Sequence, residues 1–135
     1  MASGYIAVVL DEKSRATLVR IYPFLYKRPF CHHTTLSYGD ASSEELTRQM
    51  NFFALTSNEV DIFIEDIYND ENGVECFTVS INGQTLRTDG GKLHLTHSLA
   101  NGRRPVESNA VVANATYKIS TINMTVKGTV VAIEH

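Results

Sequence analysis

Tryptophan is missing from this chain, and cysteine occurs only twice and proline three times in 135 residues. The two cysteines, Cys31 and Cys76, belong to no CxxC pair and no His/Cys cluster, which excludes a disulfide framework and a zinc finger. Both thiols are expected to be reduced and buried. No apolar run approaches the ~20 residues of a membrane-spanning helix, and MASGYIAVVLDEKSR has neither the basic start nor the apolar length of a secretory leader. The expectation is a protein of the cytoplasm, or of the host cytoplasm for a viral source, with no membrane partner. On that reading the triplets Asn114-Ala115-Thr116 and Asn123-Met124-Thr125 are chance matches to a glycosylation acceptor. A basic excess is also lacking: 12 Lys and Arg stand against 15 Asp and Glu, for a net charge of −3. Coating nucleic acid through counterion release is thereby excluded, whereas a small phosphate-bearing ligand in a local basic pocket is compatible with the balance. No His, Asp, Glu or Cys cluster has metal-ligand spacing, so neither a metal nor another cofactor is expected.

What is present is an ordinary globular composition, 43% hydrophobic and 20% charged, with no linker or low-complexity segment to divide it. A single domain over residues 1–135 is expected. Tyr5 to Leu10 is a β-branched apolar run of the kind found in a central strand, and the apolar spacing after Asp11 predicts a helix over about 12–22, limited by Pro23. His32 to Tyr38 reads as a strand closed by Gly39. Ser42 followed by Glu44 and Glu45 reads as the capped start of a helix over about 43–54. Val60 to Tyr68 alternates, and Asn69-Asp70-Glu71-Asn72-Gly73 turns it into Val74 to Ile81 as a hairpin. Another strand is expected from about Lys92 to Leu99. Ser108 is expected to cap a short turn over Asn109 to Ala113, and two strands around Lys127-Gly128 are expected to close the chain. This order is α+β.

Two short strings repeat one theme. His33-Thr34-Thr35 and His94-Leu95-Thr96 each place a His and a Thr two apart, which on a strand puts both side chains on one face. A single such triplet arises readily by chance, since Thr favours strands; two on predicted strands, each followed by a glycine loop, point to chemistry. An imidazole can serve as base or as acid at neutral pH, and two of them suffice for in-line attack on phosphorus, one taking the proton of the attacking oxygen and the other protonating the leaving oxygen. A threonine hydroxyl beside each can donate to a non-bridging oxygen.

These strings, His33-Thr34-Thr35-Leu36-Ser37-Tyr38-Gly39 and HLTHSLANGRRPVESN from His94, resemble the paired motifs of the 2H phosphoesterase superfamily, which includes LigT-like RNA phosphoesterases and cyclic phosphodiesterases. The resemblance implies a compact two-lobed fold in which antiparallel sheets form a concave cleft with helices outside. It implies His33 and His94 as the catalytic pair and Thr35 and Thr96 as phosphate-binding donors. The implied activity is metal-independent cleavage of a nucleotide phosphodiester: a 2′,3′-cyclic phosphate of RNA or a nucleotide, or a cyclic or 2′-5′ oligonucleotide signal, as in viral immune evasion. The His32-His33 doublet leaves a second register open, His32 with Thr34. His33 is preferred because Leu36, Tyr38 and Gly39 then fall where the family has an apolar residue, an aromatic and a glycine. Alternation predicts that His32 points away from His33, so that only one of them shares the cleft with His94. The stretch from Ile81 to Lys92 is too short for the helix that many members carry in the second lobe.

Around the pair, Tyr38 and Tyr5, with Tyr26 and Phe30, are candidates to stack on a base, and Arg103 and Arg104 to contact a phosphate. His97 alternates off the motif face. The expected partner is a nucleotide, a cyclic oligonucleotide or an RNA end bound by a monomer. A module that binds an RNA end or nucleotide without turning it over is the alternative, and a third reading treats the triplets as strand sequence of an interaction domain.

Overall fold

In the computed structural model, which describes residues 2–135, seven strands and three helices run in the order β1 (Gly4–Leu10), α1 (Glu12–Ile21), β2 (Arg28–Pro29), β3 (His33–Tyr38), α2 (Ser43–Phe52), β4 (Glu59–Asn69), β5 (Val74–Ser80), β6 (His94–Leu99), α3 (Ser108–Val112) and β7 (Lys118–Glu134). The helices begin where the sequence supplies oxygen caps: Asp11 accepts from the backbone of Ser14 at 2.7 Å, and Ser42 from that of Glu45 at 3.2 Å. Acidic residues in both first turns complement the helix dipole.

All the sheet pairings are antiparallel, in the order β6-β3-β1-β7-β4-β5, and β5 pairs back onto β6 to close a six-stranded barrel, with the short β2 extending β3 along β6. The fold is α+β. The two sheets implied by a two-lobed arrangement are here one closed sheet, in which β3 and β6 are neighbours. Period-two alternation fills the barrel: Ile6, Val8 and Leu10 of β1 join Val60, Ile62 and Ile64 of β4 and Phe77 and Val79 of β5 in one buried cluster. Each such side chain contributes about 1.5–3 kcal/mol by leaving water. A second cluster, including Cys76, Leu99, Val111 and Val112, fixes α3 against the barrel. Both cysteines are free and buried.

The hairpin of β4 and β5 lies where the alternation places it. The chain's last 17 residues of strand, in contrast, form one continuous β7 rather than two strands about Lys127-Gly128. Gly128 serves close approach instead of a turn, since a Cβ there would stand 2.5 Å from the carbonyl oxygen of Val9 on β1. No helix occurs between Ile81 and Lys92, which are linked by turns and two isolated bridges. Ser108 does not cap α3: it is its first residue, fully buried. No helix among the described residues is long and apolar enough to cross a membrane.

Candidate active site

Both motifs face outward from the barrel wall. Thr34 lies opposite Leu95 in the β3–β6 ladder, and both point into the barrel with no exposure. Carried one residue either way, that antiparallel register sets Thr35 across from His94 and brings His33 to the level of Thr96, on the outer face. Each histidine thus faces the other motif's threonine. The two histidines sit on a diagonal, a relation that in antiparallel sheets spans roughly 7–8 Å. A pocket of about 340 Å³ opens over this square, lined by His33, Thr35, His94 and Thr96, by the aromatic rings of Tyr5, Phe30 and Tyr38, by Pro105 and Val106 from the loop before α3, and by His32 and His135.

His94 is 8% exposed and its Nδ1 lies 3.0 Å from the carbonyl oxygen of Lys92. A carbonyl only accepts, so Nδ1 carries the proton and the neutral ring leaves Nε2 bare. Burial pushes the proton affinity of His94 down, the Lys92 carbonyl opposes this, and the charge of Arg87 adds to the lowering. His33 is pushed down to about 4, chiefly by burial and then by the neighbouring charges of His32 and His94. Both shifts favour the neutral ring at pH 7. Thr96 is oriented by α3, its Oγ1 lying 2.9 Å from the Ser108 Oγ.

Three expectations need correction. Arg103 is not in the pocket: it bonds to Asp70 at 2.9 Å and Glu107 at 3.0 Å and donates to the Asn72 carbonyl, tying the loop after β6 to the β4–β5 turn. Arg104 is exposed and is not among the residues lining this pocket, although the next two residues are. Tyr26 is also elsewhere, its hydroxyl donating to Asn69 Oδ1 at 2.7 Å.

The histidine doublet also departs from expectation. His32 does not turn away from His33; it lines the same pocket, with the two Nδ1 atoms 3.0 Å apart. The reason is a bulge. Pro29 lies opposite Ser98 and Thr34 opposite Leu95, so β2–β3 advances five residues while β6 advances three. The two surplus residues fall just before β3, where Cys31 takes a left-handed φ of 59° and alternation no longer applies. The His33 and Thr35 register faces the pocket, while Thr34 faces the core. His97 is fully buried on the barrel side, with Nε2 donating to the Tyr22 carbonyl at 2.6 Å.

Arg87 is the contributor that sequence reasoning missed. It is 7% exposed, and its guanidinium lies 5.1 Å from the centre of the Tyr38 ring. It donates to Asp89, to Asn109 Oδ1 and to the same Lys92 carbonyl that orients His94. The one trace in the sequence is Gly91, where any Cβ would collide with this guanidinium. Ser108, expected as a cap, instead meets Thr96 from the first turn of α3. Comparison of the chain with protein-family models, with curated proteins and with solved structures gives no match.

Proposed function

We propose that the pocket is the active site of a metal-independent phosphodiesterase of the 2H type, acting on a nucleotide phosphodiester. The observation that carries this reading is the meeting of His33, Thr35, His94 and Thr96 on one outward face, over one pocket. The cleft implied by the resemblance to 2H phosphoesterases corresponds, on this reading, to that pocket, and Tyr5, Phe30 and Tyr38 supply flat apolar walls for a base.

The chemistry follows from the protonation states. Burial lowers the proton affinity of both imidazoles; a phosphodiester anion between them reverses part of that lowering, because an opposite charge favours the imidazolium. One ring then carries a proton and the other keeps a bare Nε2. The bare nitrogen takes a proton from water as the water oxygen bonds to phosphorus. The P–O bond of the ester breaks, and the departing oxygen takes the proton of the imidazolium. For a 3′-5′ linkage the adjacent 2′-hydroxyl replaces water as nucleophile. Thr35, and Thr96 with its hydroxyl accepting from Ser108, donate to the non-bridging oxygens as charge grows there. A pure binding module needs no such matched pair of titrating groups.

The test is turnover of 2′,3′-cyclic nucleotides, RNA 2′,3′-cyclic ends, cyclic dinucleotides and 2′-5′ oligoadenylates by the wild-type chain and by His33→Gln and His94→Gln. Cleavage of at least one class, reduced by about 10² or more in kcat in each variant, is expected. Saturable binding of these ligands with no turnover would establish the binding module instead.

A further inference from the structure

His32 has no assigned part in that chemistry, yet the chain takes unusual steps to bring it to the pocket. A non-glycine residue in the left-handed region is strained and persists only where the surroundings fix it. Here they do. The Cys31 amide donates to the Thr96 carbonyl at 2.8 Å, the Leu10 amide donates to the His32 carbonyl at 2.9 Å, and Arg15 donates to the carbonyls of Phe30 and Cys31. The Cys31 side chain is fully buried. The bulge is a pinned conformation whose outward product is the imidazole of His32.

That imidazole contacts His33 through Nδ1 at 3.0 Å, ring against ring at an interplanar angle of 83°. Two Nδ1 atoms at this distance hold one proton between them: one nitrogen donates and the other accepts. The second motif is built alike, with the Nδ1–H of His94 donating to the Lys92 carbonyl. The other groups facing His33 are the Tyr5 ring of β1 at 5.4 Å, with His135 beyond β7 packed on Tyr5, and His94 of β6, itself under the influence of Arg87. None of the pocket-lining side chains is a carboxylate.

We propose that His32 is a positioning residue: its unprotonated Nδ1 accepts the Nδ1–H of His33, holding the His33 ring in the tautomer whose Nε2 is bare and free to exchange a proton with the bound phosphodiester. When Nε2 takes that proton, the bond to neutral His32 becomes charge-assisted and shortens. Protonating His32 as well would remove the acceptor and set two positive rings against each other. The kinetic part of this inference rests on the phosphodiesterase reading; the tautomer part does not.

The experiment is ring-nitrogen NMR on the ¹⁵N-histidine-labelled full chain at neutral pH, for wild type, His32→Ala and His32→Asn, with His33→Gln to assign the signals. Asn places an amide oxygen near the position of Nδ1 and does not titrate. Wild type and His32→Asn should show His33 protonated at Nδ1, and His32→Ala should shift it toward the Nε2–H tautomer. In kinetics on a 2′,3′-cyclic mononucleotide, His32→Ala should lose about 10- to 100-fold in kcat with KM nearly constant, the size that loss of an orienting partner has at metal-bound imidazoles, and His32→Asn should recover most of it. A His33 ring that is Nε2-protonated in wild type, or unchanged in His32→Ala, overturns the proposal. If wild type turns over no substrate the phosphodiesterase reading fails, and the ring spectra still decide the role of His32.

Discussion

Lowering the pH from 7 to 4.5 should destabilise the wild-type protein more than a His33→Gln variant. An unfolded histidine titrates near 6.5, whereas folded His33 is pushed down to about 4 by burial and by the charges of His32 and His94. The unfolded chain therefore binds the proton first. The stability associated with neutral His33 is fully present above about 6.5 and is lost as the pH falls toward 4. Integrated to pH 4.5, the loss is about 2 kcal/mol for a group that stays partly buried throughout. Gln does not titrate, so the variant lacks this loss. His94 and His97 are also lowered, and several carboxylates titrate at the acid end, but these groups are common to both proteins, so the difference is set chiefly by the burial of His33, the largest cause of its shift. Urea unfolding at pH 7, 6, 5 and 4.5 measures the effect, with wild type losing about 2 kcal/mol more than His33→Gln. Parallel stability curves would show that His33 is not held neutral by its surroundings, and the protonation argument for the site would fall with it.

Thr34→Val and Thr35→Val should separate: the Thr34 hydroxyl is buried without a partner, so Thr34→Val should leave turnover unchanged and be neutral or stabilising by up to about 1 kcal/mol, while Thr35→Val should lower kcat about 10-fold or more through loss of a transition-state donor. The reverse result in a turnover assay would move the motif back one residue. Arg103→Ala should cost roughly 1–3 kcal/mol in urea unfolding, because it removes the cation paired with the nearly buried Asp70 and leaves Oδ2 without that partner, with kcat and KM within about twofold of the parent. Turnover should persist in excess EDTA, since no group of three or more His, Cys, Asp or Glu among the described residues is placed to hold a metal; loss restored by zinc or manganese would sink the mechanism.

Much of the barrel can be read locally because its signals are local. Oxygen caps at Asp11 and Ser42 and the strict alternation of Val60, Ile62 and Ile64 each act over a few residues. Closure is not legible in this way: whether β5 returns to β6 depends on the shape of the whole sheet, and no window of the chain contains it. The same limit explains β7. Lys127-Gly128 has the composition of a turn, yet the glycine is there so that the carbonyl of Val9, more than a hundred residues away in sequence, can pass close by.

The candidate site divides along the same line. His33 with Thr35 and His94 with Thr96 obey period two, so their shared face follows from the string alone. The cross-strand register then turns two such faces into a square. His32 escapes that logic because a bulge is a mismatch between two strands, visible only once Pro29 and Thr34 are each paired with β6. Arg87, Ser108 and the Lys92 carbonyl reach the motifs from outside the strands that carry them, by packing. The carbonyl joins the two levels. It accepts from both His94 and Arg87, so the tautomer of a motif histidine is set by a loop that no motif contains, and the same carbonyl holds beside His94 the guanidinium whose charge lowers its proton affinity. A substitution at Gly91 should therefore reach His94 through the displaced guanidinium, although neither the spacing of the motifs nor the composition of that loop connects the two positions.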